Sequence, residues 1–157
     1  MNRVTITLTS LAIALSASFA APAFVSQAQA QAPVQTEVVV ILAKEAAGTI
    51  DPSLESMTAL QRAPFNAFRT MTILDRKNER LRAGRDQDIR LPNGRTLRVQ
   101  LQRVMPDGRY RVRVSIDRPE ADAYLPLLQV VASPGDPFFV AGQSHDGGTL
   151  VIGITLN

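Results

Sequence analysis

The chain has 157 residues, a net charge of +3 and no cysteine. That length fits one ordinary domain, and the absent thiol excludes disulfides, thiolate metal sites and cysteine nucleophiles within it. Lys44 and Lys77 are the only lysines, so nearly all the positive charge sits on arginine, whose planar fork suits phosphate and carboxylate.

The first 30 residues combine an early positive charge at Arg3, a moderately apolar stretch and a small-residue exit, Ala28-Gln29-Ala30. This pattern predicts a Sec-type signal peptide over 1–30, leaving a single compact β-rich domain over 31–157 in the periplasm or outside the cell. An uncleaved anchor would need about 20 strongly apolar residues, and here Thr5, Thr7, Thr9, Ser10, Ser16 and Ser18 interrupt the run. No other stretch could span a membrane as a helix, so the cleaved chain is expected not to be transmembrane.

Glu37 to Ala43, EVVVILA, predicts a strand buried on both faces, because β-branched residues occupy both alternations. Asp51 and Pro52 suit the start of a short α-helix, with Leu54, Met57, Leu60 and Gln61 at helical spacing, the first three as its apolar stripe, and Pro64 as its stop. Phe65 and Phe68 follow, and one or both are expected to anchor it to the sheet. Thr70 to Leu74 alternates like a strand, Asp75 to Glu79 reads as a charged turn, and Arg80 to Ala83 and Asp88 to Leu91 read as short strands.

Two turn signals frame the next hairpins. Pro92-Asn93-Gly94 predicts a three-residue turn with glycine in the left-handed position, which sets Ile89 opposite Leu97. Pro106-Asp107-Gly108 predicts the same turn and sets Val104 opposite Tyr110. Unbroken pairing from there would put Leu101 opposite Arg113, an apolar residue against a cation. One extra residue near Gln102 or Arg103 restores Leu101 to Val112, so a β-bulge is expected there. Arg118 to Ala123 reads as a polar loop. Tyr124 to Ala132 predicts a strand that starts at Pro126 or lies at an edge. Phe138 to Gly142 and Thr149 to Leu156 close the chain as a hairpin around QSHDGG.

The sum is a mainly β protein of about eight to nine short strands with one short α-helix, as an antiparallel sandwich or a partly open barrel. A membrane barrel would need aromatic girdles, and the chain has two tyrosines and no tryptophan.

His145 is the only histidine and no carboxylates show calcium-loop spacing, so no metal and no cofactor are expected. Ser144-His145-Asp146 names the residue types of a hydrolase triad, but adjacent residues cannot assemble one; a hairpin tip with a contact role for His145 is the alternative. Asp51, Glu55, Asp86 and Asp88 could supply acid–base pairs for glycan hydrolysis, yet no cleft joins them in the sequence. No catalytic residue is assigned. The arginines are the positive signal. Arg98, Arg109, Arg111 and Arg113 alternate with apolar residues on paired strands, and Arg90 and Arg95 flank the adjoining turn. They form either a solvated face neutralised by Asp86, Asp88 or Asp117, or an anion-binding face. Nucleic acid is not expected as a partner, because exposed stacking aromatics are lacking.

The segments ILAKEAAGTIDPSLESM, PFNAF, TILDRKNERLRAG, LPNGRTL and PFFVAGQSHDGGTLVIGI, in this order, resemble an uncharacterised family of small secreted bacterial β-domain proteins with no assigned activity. The resemblance covers nearly all of residues 31–157. It implies a compact, mostly β domain and transfers no catalytic residue.

The expected role is therefore a non-enzymatic binding or assembly module, an accessory component of a cell-envelope complex with a protein partner. Phe65, Phe68 and His145 are its candidate contacts. The alternative is a binder of anionic envelope polymers or lipid head groups through the arginine face. A hydrolase of envelope glycans ranks third.

Overall fold

The computed structural model describes residues 31–118, 120 and 123–157. The expected signal peptide, and Pro119, Ala121 and Asp122 of the expected polar loop, lie outside the described residues. Within these limits eight strands run β1 (Val34–Lys44), β2 (Thr70–Leu81), β3 (Asp86–Arg90), β4 (Thr96–Val104), β5 (Tyr110–Arg118), β6 (Ala123–Ala132), β7 (Phe138–His145) and β8 (Gly148–Leu156). They form two antiparallel sheets, ordered β2-β1-β8-β7 and β3-β4-β5-β6. The fold is a sandwich and not a closed barrel. The second sheet is a simple meander. The first places the outermost strands of the sequence, β1 and β8, side by side at its centre.

Alternation decides what lies between the sheets. Val38, Val40 and Leu42 of β1 and Leu150, Ile152 and Ile154 of β8 meet Leu97, Val99 and Leu101 of β4 and Val112, Val114 and Ile116 of β5 in one buried cluster. The other alternation of β1, namely Val39, Ile41 and Ala43, is buried too, on the outer face of the first sheet. This strand is covered on both sides, as its unbroken apolar run requires.

The cover on that outer face is the connection from β1 to β2. It is not the expected α-helix but three 3-10 turns, Pro52–Leu54, Thr58–Gln61 and Phe65–Ala67. The backbone bonds run three residues back: Leu54 N–H to Asp51 C=O (2.9 Å), Met57 to Leu54 (3.0 Å), Leu60 to Met57 (2.9 Å) and Phe68 to Phe65 (3.1 Å). Two physical reasons decide against the α-helix. The side chain of Asp51 accepts from both the backbone N–H and the hydroxyl of Ser53 (2.9 and 2.7 Å), tightening the entry into a turn. Leu54, Met57 and Leu60 are also spaced by three throughout, and residues three apart eclipse only in a 3-10 winding. The packing expectation holds in its essentials. Leu54 and Leu60 are buried, and Met57, Phe65 and Phe68 pack beside them against Val39, Ile41, Ala43, Met71 and Val151.

The expected charged turn at Asp75 to Glu79 is also corrected. Thr70–Leu81 is one twelve-residue strand, half-buried and exposed residues alternating along it. Between the buried Met71 and Leu81 its half-buried positions include Asp75, Lys77 and Glu79, so as an edge strand it shows no apolar period. Its slip falls at Leu74, between the pairs Val40–Asp75 and Ile41–Ile73.

The hairpins agree with the turn chemistry. Leu91 N–H donates to Arg95 C=O (2.8 Å) and Gly94 sits at φ 81°; Met105 N–H donates to Arg109 C=O (2.8 Å) and Gly108 sits at φ 81°. Asn93 and Asp107 each accept from the backbone N–H two residues on, at 3.1 Å. Ile89 faces Leu97, Val104 faces Tyr110, Leu101 faces Val112, and Gln102 is the extra residue. The closing hairpin is tighter than expected. Asp146 and Gly147, both at positive φ, make a two-residue turn, so Ser144 and His145 belong to β7.

Candidate functional site

The outer face of the second sheet carries the arginines, and its register sorts them. Asp88 faces Arg98 and Asp86 faces Gln100 across β3 and β4. Arg98 Nε and Nη2 therefore reach both oxygens of Asp88 (2.7 and 2.9 Å), and Nη1 reaches Asp86 (3.3 Å). The Arg98 guanidinium also lies over the Tyr124 ring, 3.7 Å from its centre, and the Tyr124 hydroxyl is 3.2 Å from Asp88 Oδ2. These contacts hold the Asp88 carboxyl below the usual carboxylate range, chiefly through the Arg98 hydrogen bonds, and raise Arg98 further. Arg95 donates to the carboxylate of Asp117 (2.8 Å) and to its carbonyl. Arg109 folds back onto Asp107 (2.8 Å) at the turn.

Three of the expected arginines, Arg95, Arg98 and Arg109, are thus committed to carboxylates. Arg90 is exposed at the end of β3, where its carbonyl accepts from Lys77 Nζ (3.0 Å). Arg111 and Arg113 make no ion pair among the described residues. Arg103, absent from the arginines expected on this face, belongs with them: it faces Arg111 directly. Arg111 is half-buried, and its Nε is enclosed without an acceptor.

The partner-contact candidates are scattered. Phe65 packs on Phe139, ring centres 5.7 Å apart. Phe68 lines an apolar cavity of about 230 Å³ between the 3-10 segment and the first sheet, with Ile50, Leu54, Leu60 and Met71, and with Glu55, Gln61 and Asn66 as its polar wall. His145 is half-buried at the end of β7, facing Gly148. Neighbouring Asp146 is engaged by Lys44 (3.2 Å), so Ser144, His145 and Asp146 lie along one hairpin end and converge on nothing.

Two of the four carboxylates considered for acid–base work, Asp51 and Asp88, are held ionised by local hydrogen bonds. Asp51 is held below its ordinary range by the Ser53 hydroxyl and backbone N–H, and Asp88 by Arg98. A general acid needs the opposite shift. Among the described residues no group of three or more His, Asp or Glu side chains is placed to hold a metal ion, and no helix is long and apolar enough to cross a membrane.

The four sheet edges differ. β2 is lined with Arg76, Lys77 and Arg80 and carries the Leu74 bulge. β3 is short and charged. Gln87 and Lys77 lace these two edges together, donating to Glu79 (3.0 Å) and the Arg90 carbonyl. β7 is bent by a bulge at Gly142, φ 120°. β6 has no charged residue. Its pairing with β5 slips at Leu127, beside Pro126, and then runs regularly from Leu128 to Ala132. Leu125 and Val131 are 45% and 38% exposed.

No protein-family model matches the chain, no curated protein matches it, and no solved structure matches it.

Proposed function

We propose that the protein is a non-enzymatic binding or assembly module that receives an extended segment of a protein partner along β6. The carrying observation is the contrast between β6 and the other three edges. Unpaired backbone groups on an exposed edge are a template for another strand, and native proteins blunt them with charge, bulges or short length. β2, β3 and β7 show these devices. β6 shows Pro126 and the Leu127 slip in its first half only, and Leu128–Ala132 remains regular, uncharged and apolar except for Gln129. A partner strand added there would gain main-chain hydrogen bonds, with side-chain contacts at alternate positions giving selectivity.

The export pattern of residues 1–30 supports placing this module in the cell envelope, as an accessory component of a larger complex.

A photo-crosslinking residue at Leu128, used in cells with the full chain, tests the proposal. The expected product is a covalent link to an extended segment of a second protein, abolished by Val131→Lys at unchanged melting temperature. A Val131→Lys protein that still crosslinks from Leu128 to the same partner segment would overturn edge pairing.

A further inference from the structure

We propose that the unpaired arginines around the β4 bulge form a phosphate-binding site, centred on Arg103, Arg111 and Arg113. Arg103 and Arg111 are direct cross-strand partners, and like charges in that relation are destabilising unless something neutralises them. The turn register creates this juxtaposition, since Val104 facing Tyr110 sets Arg103 against Arg111, and the extra residue Gln102 follows directly after the pair. Arg113 lies two residues along β5 on the same outer alternation and faces Gln100. The amides of Gln102 and Gln129 meet across β5 on that face (3.2 Å).

A second strand connection brings more charge to the same end. Gly84 N–H donates to Leu101 C=O (2.8 Å), pinning the β2–β3 turn beside the bulge, and this turn carries the exposed Arg82 and Arg85. None of these five arginines makes an ion pair among the described residues, whereas the acids of this sheet face are engaged elsewhere: Asp88 and Asp117 by Arg98 and Arg95 toward its other end, and Asp86, in the same cross-strand row as Gln100 and Arg113, by Arg98 and the Gln100 amide. Arg111 adds an independent sign. Its Nε is enclosed with no acceptor, a state that costs free energy relative to a hydrogen-bonded one. A small rotation onto an external oxyanion would satisfy it and screen Arg103 in one step.

The charge geometry selects phosphate. A carboxylate offers two oxygens and is matched by one guanidinium fork. A phosphate offers three or more and accepts from several forks at once. The phosphate could belong to a soluble phosphorylated compound or to a lipid head group, and both present the same chemistry to the three arginines. The site does not depend on strand pairing at β6.

The test uses the protein purified from the cells that make it, in low salt. Tripolyphosphate is titrated by calorimetry, and cosedimentation is measured with phosphatidylglycerol vesicles and with phosphatidylcholine vesicles. Saturable binding of tripolyphosphate, of phosphatidylglycerol vesicles, or of both is expected, with phosphatidylcholine not bound; which probe binds identifies the source. Arg103→Gln with Arg111→Gln should weaken binding by about tenfold or more, the loss of a charge-assisted fork. Arg113→Gln alone should weaken it in the same direction and serves if the double variant does not fold. Arg109→Gln, which removes a cation already held by Asp107, should leave affinity within about twofold, as for a screened surface charge. Binding of neither probe overturns the site, and so does an Arg109→Gln loss equal to that of Arg103 and Arg111. Val131 faces Arg111 across β5 and β6, so Val131→Lys adds a cation beside the phosphate and should strengthen its binding while abolishing strand pairing; the opposite directions make the two proposals fail separately.

Discussion

Arg98 and Tyr124 stack at 3.7 Å, the guanidinium over the ring, and both contact Asp88. This three-residue cluster ties the two edge strands β3 and β6 to the centre of their sheet through side chains alone. Tyr124→Leu removes the ring and the hydroxyl together. It should lower stability by about 1 kcal/mol, the scale of a partly exposed cation–π contact. Tyr124→Phe should retain most of that, because the hydroxyl bond to Asp88 is long and exposed. Urea unfolding of the two variants separates the contributions. Equal losses would mean that the hydroxyl, and not the ring, carries the contact.

The same cluster gives stability a pH dependence of known sign. Asp88, Asp107 and Asp117 are all held below the ordinary carboxylate range, each first by the hydrogen bonds of its arginine partner, and Asp51 by Ser53. A group depressed in the folded state stabilises it above the unfolded pKa, about 3.9 for aspartate, and loses that contribution as pH falls through the folded value. Stability should therefore be level from neutral pH down to the ordinary aspartate range and decline below it. Asp88→Asn should flatten part of the decline. A stability curve that rises on acidification would contradict this arrangement.

The 3-10 segment should behave as core. Leu60 is 4% exposed and sits with Leu54, Val39 and Ile41 on the outer face of the first sheet. Leu60→Ala should cost about 2–5 kcal/mol, since it removes buried methyl groups and leaves a cavity. A loss below about 0.5 kcal/mol, typical of surface sites, would mean that the segment is only loosely applied to the sheet.

What the sequence disclosed depended on whether a signal was local. Gly94 and Gly108 announced their turns because a three-residue hairpin needs a left-handed residue at that offset. The bulge at Gln102 was legible because two turns fixed two registers, and Leu101 could satisfy both only with one residue to spare. β1 was legible because both alternations of EVVVILA are apolar. β2 was not, because an edge strand half-wet on both faces has no apolar period, and DRKNER resembles a loop. The 3-10 turns were legible in principle: an unbroken spacing of three at Leu54, Met57 and Leu60 is their own period, and an α-helix would have mixed threes and fours. The arginines formed one stripe in sequence and two populations in space. Counting register back from Gly94 puts Asp88 opposite Arg98, which already removes that arginine from the available set. The pairing of Arg103 with Arg111 follows from the turn register once the extra residue is Gln102 and not Arg103, a choice the alternation left open.

Two glycines of β8 test how tightly β8 is enclosed. At Gly148 an added Cβ would lie 2.6 Å from the Ala43 carbonyl oxygen, 2.8 Å from Lys44 Cγ and 3.0 Å from Leu42 Cδ1. Backbone is the nearest obstacle, so β1 or the hairpin turn must move. At Gly153 the added Cβ would lie 2.8 Å from Phe139 Cε1, the far part of a half-buried ring that faces Gly153 across β7 and β8. That ring can turn, at the expense of its contact with Phe65. Gly148→Ala should therefore cost about 1–3 kcal/mol, the range for overpacking a closed site, and Gly153→Ala should cost less. Thermal unfolding of both variants gives the order, and Phe139→Leu supplies the control. In that background the Gly153→Ala loss should shrink, because the ring is its cause, while the Gly148→Ala loss should persist, because its cause is the β1 backbone.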